Sequence, residues 1–85
     1  MERHFKGVAN YRRLEILLLI SKSQSIDLAS ITSALKGNIK TISEHTRRLV
    51  QAGLVNKTNN GRNVLHSLSP YGKIFIRFIE TFSHS

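Results

Sequence analysis

A helix stop and a helix cap stand side by side at Lys36-Gly37-Asn38, and few arrangements of chain accommodate that. Glycine readily takes the left-handed backbone that ends many helices, and asparagine is among the favoured residues at a helix start. With no linker between stop and cap, two helices must meet at a sharp angle, which is the corner of a helix-turn-helix. The helix before the corner has Asp27 at its cap position, with Ile26 just ahead and Ile31 at staple spacing. Its apolar face is Leu28, Ile31 and Leu35.

The helix after the corner, Ile39 to about Ala52, is the most informative stretch. Ile39, Ile42, Thr46, Leu49 and Val50 fall on one stripe and are expected to face the core, whereas Lys40, Thr41, Ser43, Glu44, Arg47 and Gln51 fall mainly on the other side. That outer set combines cations, hydroxyls and one carboxylate, the groups that reach phosphates and base edges in a major groove. A merely solvated helix face can have the same composition, since Glu44 is at ion-pair spacing from Lys40 and Arg48. Its place directly after a tight corner favours the first reading.

Gly53 follows Ala52 and is expected to end this helix, with Leu54 folding back on Leu49. Leu54–Thr58 and Asn63–Leu68 then read as strands joined by Asn59-Asn60-Gly61, a strong short-range hairpin signal. On the return strand Val64, His66 and Leu68 share a face. The hairpin tip holds Lys57, Asn59, Asn60, Arg62 and Asn63 and no apolar group, so burial is not its purpose. Ser69 and Pro70 are well suited to cap and open a last helix, although Gly72 weakens its first turn. Phe75, Phe78, Ile79 and Phe82 give that helix a wide apolar face, extended by Ile74 and Ile76.

At the other end, residues 1–7 carry mixed charge without periodicity and are expected to be a frayed lead-in. From about Val8 to Ser21 a helix is predicted, with Val8, Tyr11, Leu14, Leu17 and Leu18 on one stripe and Ile16, Leu19 and Ile20 on a second. Two apolar faces exceed what one small core absorbs. They are to be buried either under the hairpin of the same chain or against another subunit, and the sequence leaves both open.

Composition narrows the function. Eighty-five residues make a single domain, 1–85, whose fold class is mainly α with a small β-hairpin, in the order α-α-α-β-β-α. The longest apolar run, Ile16–Ile20, is far too short to cross a bilayer, and the N-terminus has no signal-peptide layout, so a cytoplasmic location is expected. There is no cysteine, which excludes disulfides and thiolate-based metal or redox chemistry. His4, His45, His66 and His84 include no pair at helical ligand spacing, and the five acids form no general acid/base pair. No metal, cofactor, catalytic group or small-molecule ligand is therefore expected.

The net charge of +8 is unevenly placed. Lys36, Lys40, Arg47, Arg48, Lys57, Arg62, Lys73 and Arg77 face a single acid, Glu44, between residues 36 and 77. Five cations and three acids share residues 1–35. The excess thus lies in the half with the second corner helix and the hairpin, as binding to a phosphate backbone requires.

The order and spacing of Asp27-Leu-Ala-Ser-Ile31, Thr41-Ile-Ser-Glu-His-Thr-Arg-Arg-Leu49, Ala52-Gly-Leu-Val55 and Leu68-Ser-Pro-Tyr-Gly72 resemble the winged helix-turn-helix regulators of the ArsR-like and MarR-like superfamily. The likeness covers roughly Tyr11 to Phe82. It implies a recognition helix at Ile39–Gln51, a wing at Lys57–Asn63 and homodimerisation through the terminal helices. Thr46 departs from it, standing where the family usually has leucine, and the cysteine motif of metal-sensing members is absent.

The resulting expectation is a homodimeric, sequence-specific regulator of double-stranded DNA. Lys40, Thr41, Ser43, Glu44 and Arg47 read or position on the major groove, Arg48, Lys57, Asn60, Arg62 and Lys73 contact backbone or flanking groove, and Leu14, Leu18, Phe75, Phe78 and Phe82 form the dimer surface. A sequence-neutral DNA coat would use the same charge but waste the mixed Thr41, Ser43 and Glu44 face. A protein-binding module calls for an acidic or apolar face instead.

Overall fold

The computed structural model describes residues 2–83, with side chains described for 11–82. The elements are α1 (Glu2–Ser23), β1 (Ile26–Asp27), α2 (Leu28–Leu35), α3 (Ile39–Gln51), β2 (Val55–Asn60), β3 (Asn63–Leu68) and α4 (Pro70–Ser83). The backbone is helical from Glu2, earlier than the apolar repeat indicates. Once a helix is nucleated each added residue gains a hydrogen bond without needing an apolar face, so periodicity has nothing to detect there. The side chains of His4, Val8 and His84 lie outside the described residues.

Asp27 caps α2 as expected, its carboxylate accepting from the Ser30 N–H at 2.8 Å. The far end of α2 corrects the sequence reading. Lys36, not Gly37, takes the left-handed conformation (φ 52°, ψ 42°), and the N–H groups of Lys36 and Gly37 donate to the Ser33 and Thr32 carbonyls. Gly37 is needed for space: a Cβ there would sit 2.9 Å from the Ile42 side chain and 2.7 Å from the Arg12 guanidinium. Asn38 then caps α3, accepting from the N–H groups of Lys40 and Thr41 at 2.9 and 3.4 Å.

Ile16, Leu17, Ile20, Ile31, Ile42, Leu49, Val55 and Ile76 form the core, so every helix contributes to it. On α1 the core face draws on both apolar stripes. Ile16 and Ile20 of the second stripe and Leu17 of the first are buried, while Tyr11 is exposed and Leu14, Leu18 and Leu19 are half-exposed. On α3, Ile42, Thr46 and Leu49 are buried and Val50 is half-buried, but Ile39, expected in the core, is 52% exposed. The buried Thr46 hydroxyl donates to the Ile42 carbonyl at 2.7 Å, which lets a polar side chain stand at a core position without an unpaired group.

The sheet has three strands, in the order β1-β3-β2. The two-residue β1 pairs Ile26 with His66 and Asp27 with Leu65, a pairing too short to leave a periodic signal in the sequence. In the hairpin Asn60 pairs with Asn63, so the turn is the two residues Gly61-Arg62 and not Asn59-Asn60-Gly61 as expected, both asparagines being strand residues. Gly61 has φ 66°, and Gly-X with glycine first is a favoured two-residue hairpin turn. Gly53 ends α3 with φ 80°, and the Leu54 N–H closes back on the Leu49 carbonyl at 3.1 Å. Gly72 has a structural role that the weak-first-turn reading missed. It is buried where α4 lies directly on the Leu54 carbonyl, with no room for a side chain. Ser69 joins the same corner, donating to the Gly53 carbonyl at 2.6 Å and accepting from the Gly72 N–H at 2.9 Å.

Candidate nucleic-acid interface

The Asn38 cap and the core contacts of Ile42, Thr46 and Leu49 fix the rotation of α3. Away from those contacts α3 presents Lys40, Thr41, Ser43 and Arg47 to solvent, and Arg48 is exposed as well. β2 and β3 carry Lys57, Asn60 and Arg62 out beside it, all exposed. Between helix and hairpin runs a groove of about 430 Å³ with Ser43 and Arg47 on one wall and Lys57 and Arg62 on the other; Asp27, Val64 and His66 also line it. Four of the expected DNA-contacting residues thus converge from two separate elements.

The remaining ones are placed differently. Lys40 and Thr41 stand at the leading end of α3, and Asn60 flanks the turn. Arg48 points to the α1 side of α3, where it lines a shallow groove with Arg13, Leu14 and Phe75. Lys73 is apart from the rest, in a groove between α1, β3 and α4 that also holds Lys22 and Arg77.

Glu44 is the acid within this basic surface. Its carboxylate accepts from Arg47 Nη2 at 2.7 Å and from Arg48 Nε at 3.1 Å. The Arg47 hydrogen bond, then that of Arg48, holds the Glu44 carboxyl below its ordinary pKa, and the same contact raises that of Arg47. Both arginines are thereby oriented along the helix before any ligand arrives. Asp27 is also held below the ordinary carboxylate value, by its hydrogen bonds with Ser30.

Two histidines support the surface from behind. His66 is buried, and its Nδ1–H donates to the Ile26 carbonyl at 3.2 Å. Burial depresses its pKa, with Lys57 acting in the same direction and the Ile26 hydrogen bond and Asp27 opposing. His45 accepts at Nδ1 from Arg13 Nε at 3.2 Å, a tie between α1 and α3 that the sequence did not reveal because 32 residues separate the partners. Burial, Arg13 and Arg12 lower its pKa, against a smaller opposing effect of Glu44. In both rings the surroundings favour the neutral form over the charged one.

The expected dimer residues form a separate surface. Phe75, Phe78 and Phe82 are exposed along one side of α4, and the Phe78 and Phe82 rings meet edge to face with centroids 4.8 Å apart. No described helix is long and apolar enough to cross a membrane.

A capped helix set at a tight corner, followed by a basic hairpin on a small antiparallel sheet, defines a winged helix-turn-helix DNA-binding domain. The chain belongs to the MarR family of DNA-binding transcriptional regulators, whose family model matches residues 10–64. Among solved structures it is similar to HlyU from Vibrio cholerae N16961, with 27% identity over 95% of this chain and 88% of that one and a TM-score of 0.77. It shares its fold with the homodimeric winged helix-turn-helix DNA-binding domain of a possible ArsR-family regulator from Mycobacterium bovis (24% identity, 98% and 77% coverage, TM-score 0.79). RV1404 from Mycobacterium tuberculosis has the same fold at 23% identity and a TM-score of 0.74; 78% of this chain is matched, and it spans only 47% of that protein. No curated protein sequence matches the chain.

Proposed function

We propose that the chain acts as a homodimer that binds double-stranded DNA sequence-specifically, with α3 in the major groove and the wing, residues 57–63, on the backbone or minor groove. The observation that carries this reading is the convergence of Ser43 and Arg47 with Lys57 and Arg62 on one groove. Phosphate contacts from the wing set orientation, and side chains on the leading turns of α3 supply base readout. Lys40, Thr41, Ser43 and Arg47 are the readers; Arg48, Lys57, Asn60 and Arg62 hold phosphate. Lys73 is not assigned a contact on this face.

The dimer reading rests on the apolar side of α4 with Leu14 and Leu18 of α1, and the Mycobacterium bovis relative is described as homodimeric. Two copies would set their recognition helices about 34 Å apart, one turn of duplex. A sequence-neutral coat is the second reading, supported by the net charge alone. Selection from a pool of random duplexes, with the protein's mass measured in solution, separates the two. A palindromic product and a doubled mass support the proposal; recovery of unenriched sequences supports the coat.

A further inference from the structure

We infer that Ile39 is a specificity-determining residue that reads the 5-methyl group of a thymine in the major groove. The inference rests on α3 entering that groove as proposed above. Ile39 is the first residue of α3 and more than half exposed, although periodicity assigns it to the core. The corner does not need it: Ile42 fills the space beneath, packed closely over Gly37. Ile39 instead heads an i, i+4, i+8 line with Ser43 and Arg47, both exposed and both on the groove wall.

The chemistry favours one occupant. Neighbouring Lys40 and Thr41 are polar, and the wing across the groove is cationic, so an acidic or polar ligand has better partners than Ile39. The thymine methyl is the apolar group that duplex DNA displays in the major groove, and it is what an aliphatic side chain can shield from water. The leading residues of a recognition helix are those that reach base edges. Ile39 is also pre-set for this. The Asn38 cap orders the first turn, and a β-branched side chain in a helix has little rotamer freedom to lose on contact.

The test uses a duplex selected by the wild-type protein. Each thymine of a half-site is replaced in turn by deoxyuridine, which deletes only the methyl and keeps the hydrogen-bonding edge. For one thymine per half-site, wild-type affinity should fall roughly fourfold, as expected for loss of about one buried methyl. Ile39→Ser, with a thermal midpoint confirming its fold, should bind the two duplexes equally, and Ile39→Val should retain the sensitivity. Indifference of the wild type to every replacement, with sequence preference intact, overturns the inference and leaves the proposed function standing. Equal losses in wild type and Ile39→Ser overturn it as well. A halved mass for Ile39→Ser would place the residue in a subunit contact and overturn it, and failure to select any sequence removes both readings.

Discussion

The Glu44 carboxylate grips the Arg47 guanidinium through both of its oxygens, with Nη2 at 2.7 Å from each and Nε at 3.2 Å from one. Arg48 shares one of those oxygens. A single acid therefore neutralises part of the charge on two cations, Arg47 on the groove wall and Arg48 on the α1 side of α3. Glu44→Gln should release both arginines and raise affinity for scrambled duplex, with a salt slope steeper by about one unit per phosphate gained. Preference for the selected sequence should fall, because mobile arginines attach to any backbone. Titrations at several salt concentrations check this, and unchanged affinity for scrambled duplex would count against the role given to Glu44.

Gly72→Ala is expected to be among the most damaging single-methyl changes in the chain. The added Cβ runs into the backbone carbonyl of Leu54, which cannot swing away as a side chain can. Overpacking of this kind costs about 1–3 kcal/mol, a large share of the stability of so small a domain. Gly37→Ala meets only the Ile42 side chain and the tip of Arg12, so its effect should be smaller. Urea unfolding of the two variants gives the comparison directly.

These two glycines also mark how far the sequence could be read. The two caps, the glycine stop at Gly53, the hairpin and the Ser69-Pro70 start are local signals, each decided by residues adjacent in the chain, and the structure contains all of them. The need for glycine at position 72 comes from the packing of α4 against Leu54, eighteen residues earlier, and no local pattern records that. The same holds for the Ile26–His66 pairing and the Arg13–His45 bond. On α1 the core face, Ile16, Leu17 and Ile20, straddles the two apolar stripes, and periodicity gives relative rotation without showing which side meets the core. Among the candidate site residues, Ser43, Arg47, Lys57 and Arg62 could be grouped through the motif order, while the separate position of Lys73 required the fold.

Stability should fall as the medium becomes mildly acidic. His66 and His45 both have pKa values depressed in the folded chain, so below about pH 6.5 the unfolded chain takes up protons more readily than the folded one. Their contribution is fully present above the unfolded value and is lost as pH drops through the folded one. The depressed carboxyls of Asp27 and Glu44 act lower, as pH falls below about 4, which leaves the histidine window clear. The thermal midpoint should decline between pH 7 and pH 5. His66→Asn, which keeps an N–H for the Ile26 carbonyl but does not titrate, should flatten that decline. A midpoint constant over this range would contradict the lowered pKa of the two rings.

Phe78→Asp should separate assembly from folding. The ring is 58% exposed and contributes little to the monomer core, so the variant should keep its helical circular dichroism. A charge at the centre of the proposed apolar contact should nevertheless halve the mass measured by sedimentation. Binding to a two-half-site duplex should weaken strongly, and binding to a single half-site should not. A wild-type protein that sediments as one chain would refute the dimer.

The most direct test of the central claim is the ratio of dissociation constants for a selected duplex and a scrambled one of equal length and composition, measured by competition at fixed salt. A recognition helix that reads base edges predicts a preference of about a thousandfold or more for the selected duplex. Equal constants would contradict it, leaving a cationic surface that holds DNA without reading it.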